Sequence, residues 1–268
     1  MVDCDPLESE RLNAEVINTD IEHWLNQLQR EPRAKCHAWV DQCMKWRMAF
    51  PWVEPGTHDD TDFIHPWRFT KALEQFFRPD ETIVTDMGTA LVAAHQVLEL
   101  RPPQRLMTSG GLGEMGCALP AAVGASFARN KGEVLCLHCD GGMMMNLQEL
   151  QTIVHHQLPI KIIVYDNQGY SMIRQTQKVA GYPYSGVDKA TGVSTPDFRM
   201  VAQSFGIQSC DLKTWEDFDK AIPNLFLSKE PGLVVYHMDP ECDLVPKVLP
   251  IRHPDGRIES PPFWRMSP

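Results

Sequence analysis

Val134-Leu135-Cys136-Leu137-His138-Cys139 runs into Asp140-Gly141-Gly142, and Ile160-Lys161-Ile162-Ile163-Val164-Tyr165 runs into Asp166-Asn167-Gln168-Gly169. Each run is short and mostly apolar, the pattern of a strand buried on both faces, and each stops at residues that favour turns. Between them, Asn146 to Gln157 carries Leu147, Leu150, Ile153 and Val154 at helical spacing, and Pro159 closes the unit. The stretch reads as one βαβ crossover, right-handed as such connections are. It predicts an α/β fold: a doubly wound, mainly parallel sheet with helices on both faces. The carboxyl ends of neighbouring strands then share the edge where open α/β sheets bind ligands. Asp140 and Asn167, 27 positions apart, are expected side by side there.

A helix expected to begin after Gly141-Gly142 would aim its unpaired amides and positive dipole end at the same place, which favours a phosphate. Magnesium prefers oxygen ligands and is usually held by one or two protein groups together with phosphate oxygens and water. An Asp carboxylate, an Asn amide oxygen and a nearby main-chain carbonyl suit it. The residues thus predict a magnesium-bound diphosphate cofactor.

Asp-Gly, a spacer of this length and a terminal Asn resemble the signature of thiamine-diphosphate enzymes. Asn146-Leu147-Gln148-Glu149-Leu150 and Asp166-Asn167-Gln168 resemble their acetolactate (acetohydroxyacid) synthase branch. The block from Ser109 to Ala122, with Gly110-Gly111-Leu112-Gly113-Glu114-Met115-Gly116, is similar to the segment that holds the aminopyrimidine ring. Thr85-Asp86-Met87-Gly88-Thr89-Ala90 is similar to the diphosphate loop. The likeness spans Ile64 to Met238, the pyrophosphate-binding domain of such enzymes. It implies that Asp140, Asn167 and the carbonyl of Gly169 bind Mg2+, and that Gly88, Thr89, Ala90, Gly141 and Gly142 lie along the diphosphate. Gly113 would offer its carbonyl to the pyrimidine amino group and Met115 would support the bent cofactor, with Gly111, Tyr170 and Met172 also on the cofactor. The implied activity is that of a carboligase, which decarboxylates a 2-oxoacid such as pyruvate and transfers the acyl unit to a second carbonyl.

The chain departs from that pattern at three places. Cys139 stands where a Gly usually precedes the Asp, a change expected to be tolerated. Thr89-Ala90 replaces a Gln-His pair, which removes side-chain contacts and leaves main-chain ones. Thr176 replaces a Trp that shapes the acceptor pocket, leaving room for a larger acceptor such as a keto sugar.

Other readings compete with these. Asp, Asn and Gly are ordinary turn residues, and Met143-Met144-Met145 reads better as core filler than as a cofactor contact. Cys136 and Cys139 form a Cys-x-x-Cys, but an offset of three on a strand points them to opposite faces, so no zinc site is expected. His155-His156 read as surface. Gly111 to Gly116 is also a G-x-G-x-x-G followed by an acidic residue 24 positions on, as in a dinucleotide site. Against that, Asp140 is succeeded by two glycines and a fresh helix rather than standing at a bare strand end. A plain 2-oxoacid decarboxylase and a non-catalytic cofactor-binding subunit are the remaining alternatives.

A net charge of −10 with no basic cluster argues against nucleic acid. No signal peptide or stretch apolar enough to span a bilayer is found, and eight irregularly spaced cysteines read as reduced thiols of a cytoplasmic protein. Residues 1–62 are expected to be a remnant of the family's middle domain plus a helical linker, with apolar faces on helices around Trp24 and Val40. Residues 63–240 would be the cofactor-binding domain and residues 241–268 a terminal arm. By the resemblance, a pyrimidine-binding domain with the activating glutamate is missing. The chain alone should then be nearly inert, completed by a homo-oligomer or a separate subunit. Flavin, where used, would touch domains outside this chain.

Overall fold

The computed structural model describes residues 2–3, 17–27, 36–245, 247 and 249–259. They fall into two units, Met1–Phe50 and Pro51–Pro268. In the first, strand β1 (Val2–Asp3) pairs in parallel with β2 (Ile17–Asn18), and helices span Ile21–Gln27 and His37–Ala49. The expected apolar faces are not covered within this unit: the second helix has no buried residue, and Val40 and Met44 are 56% and 51% exposed. Pro32 and Leu28, expected in these helices, lie outside the described residues.

The second unit carries a six-stranded sheet built from β3 (Thr82–Thr85), β4 (Arg105–Met107), β5 (Val134–Cys139), β6 (Ile160–Asp166), β7 (Gln208–Leu212) and β8 (Gly232–His237). The order is β4-β3-β5-β6-β8-β7 and every pairing is parallel. Alternate residues of β5 serve two cores. Val134 and Cys136 pack on one face with Ala122, Ile153 and Ala202, whereas Leu135, Leu137 and Cys139 pack on the other with Phe69, Ala94 and Ile222. The two cysteines thus point to opposite faces, as their offset requires. Each fully buried Leu, Ile or Phe contributes about 1.5–3 kcal/mol, so the central strands are fixed by burial on both sides.

Helices of this unit include Pro66–Leu73 with a 3-10 turn to Phe76, Ala118–Ala128, Glu149–His156 within the expected Asn146 to Gln157, Phe198–Ser204 and Trp215–Leu227. Sequence patterning did not anticipate helices Thr89–Val97 and Ser171–Ala180, or strand β7. Residues 51–62 belong with the larger unit: Asp60 accepts from Arg68 Nη1 and from Trp215 Nε1 at 2.6 and 2.7 Å. Leu244 packs against Trp67, Ala93 and Val97, and β9 (Ile251–Arg252) pairs antiparallel with β10 (Ile258–Glu259).

Lys161, the second residue of β6, lies on the face that carries Tyr165, yet it is buried. Its Nζ donates to Ser228 O and Glu230 O at 2.8 and 2.6 Å, closing the end of helix Trp215–Leu227. Burial, and then the nearby Arg78 and Lys229, lower its pKa to about 8. Lys161→Met keeps the stem but strips two carbonyls of their donor. We expect it to cost about 2 kcal/mol, read as a lower urea midpoint; an unchanged midpoint would show the ammonium to be dispensable.

Candidate functional site

In the strand order, β4 lies on one side of β3 and β5 on the other, so the connection reverses direction at β3. The crevice at the carboxyl ends of β3 and β5 is therefore the position where such sheets bind ligands. Three turns meet there. After β3, Gly88 adopts φ 117° and precedes helix Thr89–Val97; a Cβ at this position would lie 2.9 Å from Cys139 Sγ. After β5, Asp140–Met143 forms a buried single helical turn. A Cβ on Gly141 would sit 2.3 Å from the Tyr170 ring, and one on Gly142 would sit 1.7 Å from Asp86 Oδ2. After β6, Gly169 adopts φ 147° with Val187 O directly beneath it.

The cavity so formed is lined by nine of the residues singled out in the sequence: Gly88, Thr89, Met115, Gly141, Gly142, Asn167, Gly169, Tyr170 and Met172. Four others do not line it. Asp140 is fully buried. Ala90 is fully buried and gives its N–H to Cys139 Sγ at 3.4 Å, which turns that amide away from any diphosphate. Gly111 is exposed and Gly113 half-buried, on the loop that leads to Gly116.

Several other expectations change. The helix expected after Gly142 to aim its dipole at phosphate is one turn long, and the next helix starts only at Glu149. Two longer helices bring their amino ends to the cavity instead: Thr89–Val97 through Gly88 and Thr89, and Ser171–Ala180 through Tyr170, Ser171, Met172 and Ile173. Thr89 does more than supply backbone: its hydroxyl is buried without a partner among the described residues. Cys139, expected to be a tolerated replacement, lines the cavity together with Met87 of the quoted loop and with Ser171 and Ile173, to which no role had been given. Of the three consecutive methionines, only Met143 is core; Met144 and Met145 are 44% and 50% exposed.

The register pairs Cys139 with Tyr165, so Asp140 and Asp166 continue neighbouring strands and Asn167 follows. Asp140 is fully buried, with Oδ1 accepting from Gly141 N–H at 2.9 Å and Oδ2 from Gly169 N–H at 2.8 Å. Burial, and then the charge of Asp166, push its pKa up to about 8 against the pull of those two N–H groups. For Asp166 itself, burial is outweighed by the hydrogen bond to His237, at 2.8 Å, and by Gln168 N–H, and its pKa falls. Asn167 is 2% exposed and its Oδ1 has no hydrogen-bond partner among the described residues. A buried amide oxygen left unpaired is costly. A hard cation beside Asp140 would satisfy that oxygen and favour the carboxylate, so these donors fit magnesium. No group of three or more His, Cys, Asp or Glu suited to a metal occurs among the described residues; the candidate donors, one carboxylate, one amide and one main-chain carbonyl, are of a different kind.

Residues 86–237 match the family model described as thiamine pyrophosphate enzyme, C-terminal TPP binding domain. The acetolactate synthase isozyme 2 large subunit of Escherichia coli (strain K12) is 32% identical over 253 residues, 93% of this chain and 44% of that protein. The isozyme 1 large subunit of the same organism is 32% identical over 238 residues, 87% and 41% of the two chains. This chain thus spans less than half the length of these relatives. A thiamine diphosphate-dependent 4-hydroxybenzoylformate decarboxylase from Rhodococcus jostii RHA1 superposes with a TM-score of 0.68 at 21% identity, over 89% of this chain and 43% of that one. This last likeness concerns the fold alone.

Proposed function

Because the chain belongs to the thiamine pyrophosphate enzymes and carries their C-terminal TPP-binding domain, we propose that its edge cavity holds thiamine diphosphate with Mg2+. We further propose that the whole protein is a carboligase of acetolactate synthase type. The observation that carries the cofactor reading is the unpaired, buried Oδ1 of Asn167 beside the buried Asp140. Asp140, Asn167 and the carbonyl of Gly169 hold the cation in this reading. Gly88, Thr89, Gly141 and Gly142 take the diphosphate, where side chains would collide with Cys139, Tyr170 or Asp86. Met115, Tyr170 and Met172 give the cavity its apolar wall.

Bound there, thiamine diphosphate supplies a nucleophilic carbon and an electron sink for a 2-oxoacid. The chain's own part is to fix the coenzyme and keep its charge neutralised. Thr176 is exposed beside a groove lined by Met172, Gln175, Val179 and Leu244, which supports a carbonyl acceptor bulkier than a second pyruvate. By the resemblance, the activating carboxylate comes from a pyrimidine-binding domain, in another copy or another subunit.

Calorimetry tests the cofactor directly. We expect uptake of thiamine diphosphate with Mg2+, lost on chelation, and none of NAD. Preference for the dinucleotide would reverse the assignment. Turnover of pyruvate by the chain joined to a pyrimidine-binding domain then separates the activities. An acyloin acid or extended sugar supports the carboligase, acetaldehyde alone a decarboxylase, and uptake without turnover a binding subunit.

A further inference from the structure

Gly116 ends the loop from Ser109 and leads into helix Ala118–Ala128, and its two peptide groups are held from opposite directions. Its N–H donates to Asp86 Oδ1 at 2.7 Å, and its carbonyl accepts from Asn146 Nδ2 at 2.8 Å. Asp86 follows β3, while Asn146 lies in the turn between Asp140–Met143 and the helix from Glu149. Neither side chain lines the cavity. Gly116 has no freedom to shift: its φ is 85°, and a Cβ there would fall 2.4 Å from Met145 Cβ. Asp86 is equally confined. It is fully buried, its Oδ2 fills the space that a Gly142 side chain would need, and the same oxygen faces His138 Nδ1 at 3.3 Å.

One carboxylate therefore touches the segments similar to the diphosphate turn and the pyrimidine loop, and Asn146 closes the connection from the other side. A loop whose two successive peptide groups at Gly116 are tied from opposite sides cannot rotate away. We propose that Asp86 and Asn146 are positioning residues that fix the 109–116 loop relative to the Asp140–Gly142 turn. They thereby set the spacing between the ring-binding and diphosphate-binding halves of the coenzyme site. This inference rests on the thiamine diphosphate reading above. It assigns both residues a geometric task, with no contact to the coenzyme.

A brace of this kind has a distinctive signature, because inorganic pyrophosphate uses only one half of the site. Thiamine diphosphate and pyrophosphate, each with Mg2+, are titrated by calorimetry into the 268-residue chain and its variants. Asn146→Ala is expected to weaken thiamine diphosphate about tenfold, the worth of one hydrogen bond, and to leave pyrophosphate within about twofold. Asp86→Ala should behave alike, and Asp86→Asn, which retains an acceptor for Gly116, should recover most of the loss. If Asp86→Ala fails to fold, the half-buried Asn146 decides the matter by itself. Equal losses of both ligands, or no loss of either, overturn the brace alone. A wild-type chain that takes up neither ligand overturns the coenzyme reading and the brace with it.

Discussion

Asp140→Asn is expected to lower Mg2+-dependent affinity for thiamine diphosphate at least about 100-fold while moving the unfolding midpoint little. The two halves of that result have separate causes. A neutral amide loses the charge that a divalent cation needs from the only buried carboxylate among its proposed ligands. It also cannot replace both oxygens. Oδ1 and Oδ2 each accept a main-chain N–H, from Gly141 and Gly169, so the Asn Nδ2 must confront one of these donors. That mismatch tilts the turn that carries the Gly169 carbonyl. Stability responds less, because two effects oppose each other. Removing a carboxyl that burial and Asp166 already disfavour as an anion is a gain, and leaving one N–H unpaired is a loss of about 1–3 kcal/mol. A net change within about 1 kcal/mol is expected, measured by urea unfolding without metal. Undiminished affinity in the variant would remove Asp140 from the cation site.

The parts of the site legible in the sequence are those where one residue type has few structural uses. Two apolar runs ending in Asp-Gly-Gly and Asp-Asn-Gln-Gly specify adjacent buried strands with turns at the same edge, and β5 and β6 pair in that register. Patterning fails where the buried residues are polar or few. Helix Ser171–Ala180 buries only Ser171 and Arg174, so no apolar stripe announces it. Strand β7 lies at the sheet edge with only Leu212 fully covered, which leaves Gln208-Ser209-Cys210-Asp211 looking like a loop. The long helix expected straight after Gly142 is interrupted because Met144 and Met145 turn outward before Glu149. Close approach is equally invisible to composition. That Gly142 is required by Asp86, and Gly141 by the Tyr170 ring, depends on residues more than 25 positions away in the chain.

Gly169→Ala is the substitution with the largest expected effect on folding. At φ 147° the backbone occupies a region that side-chain-bearing residues rarely adopt, which alone costs about 1–3 kcal/mol. The added carbon would also lie 2.0 Å from Val187 O, a main-chain atom that no rotamer change can move aside. That carbonyl is already in use: it accepts from Tyr170 N–H at 2.9 Å and from Arg174 Nη2 at 3.4 Å. Displacing it breaks the contacts that seat the turn against helix Ser171–Ala180, and Arg174 is 3% exposed, with little water to replace them. We expect a loss of about 3 kcal/mol or more, a large share of the 5–15 kcal/mol that holds a domain together, together with loss of Mg2+-linked coenzyme uptake. Gly111→Ala provides the contrast. It has open space around its Cβ position and no left-handed backbone, so its midpoint should stay within about 0.5 kcal/mol of wild type. Equal unfolding midpoints for the two variants would mean that the turn after β6 yields to Val187, and that the proposed cation ligands of that turn are not held rigidly.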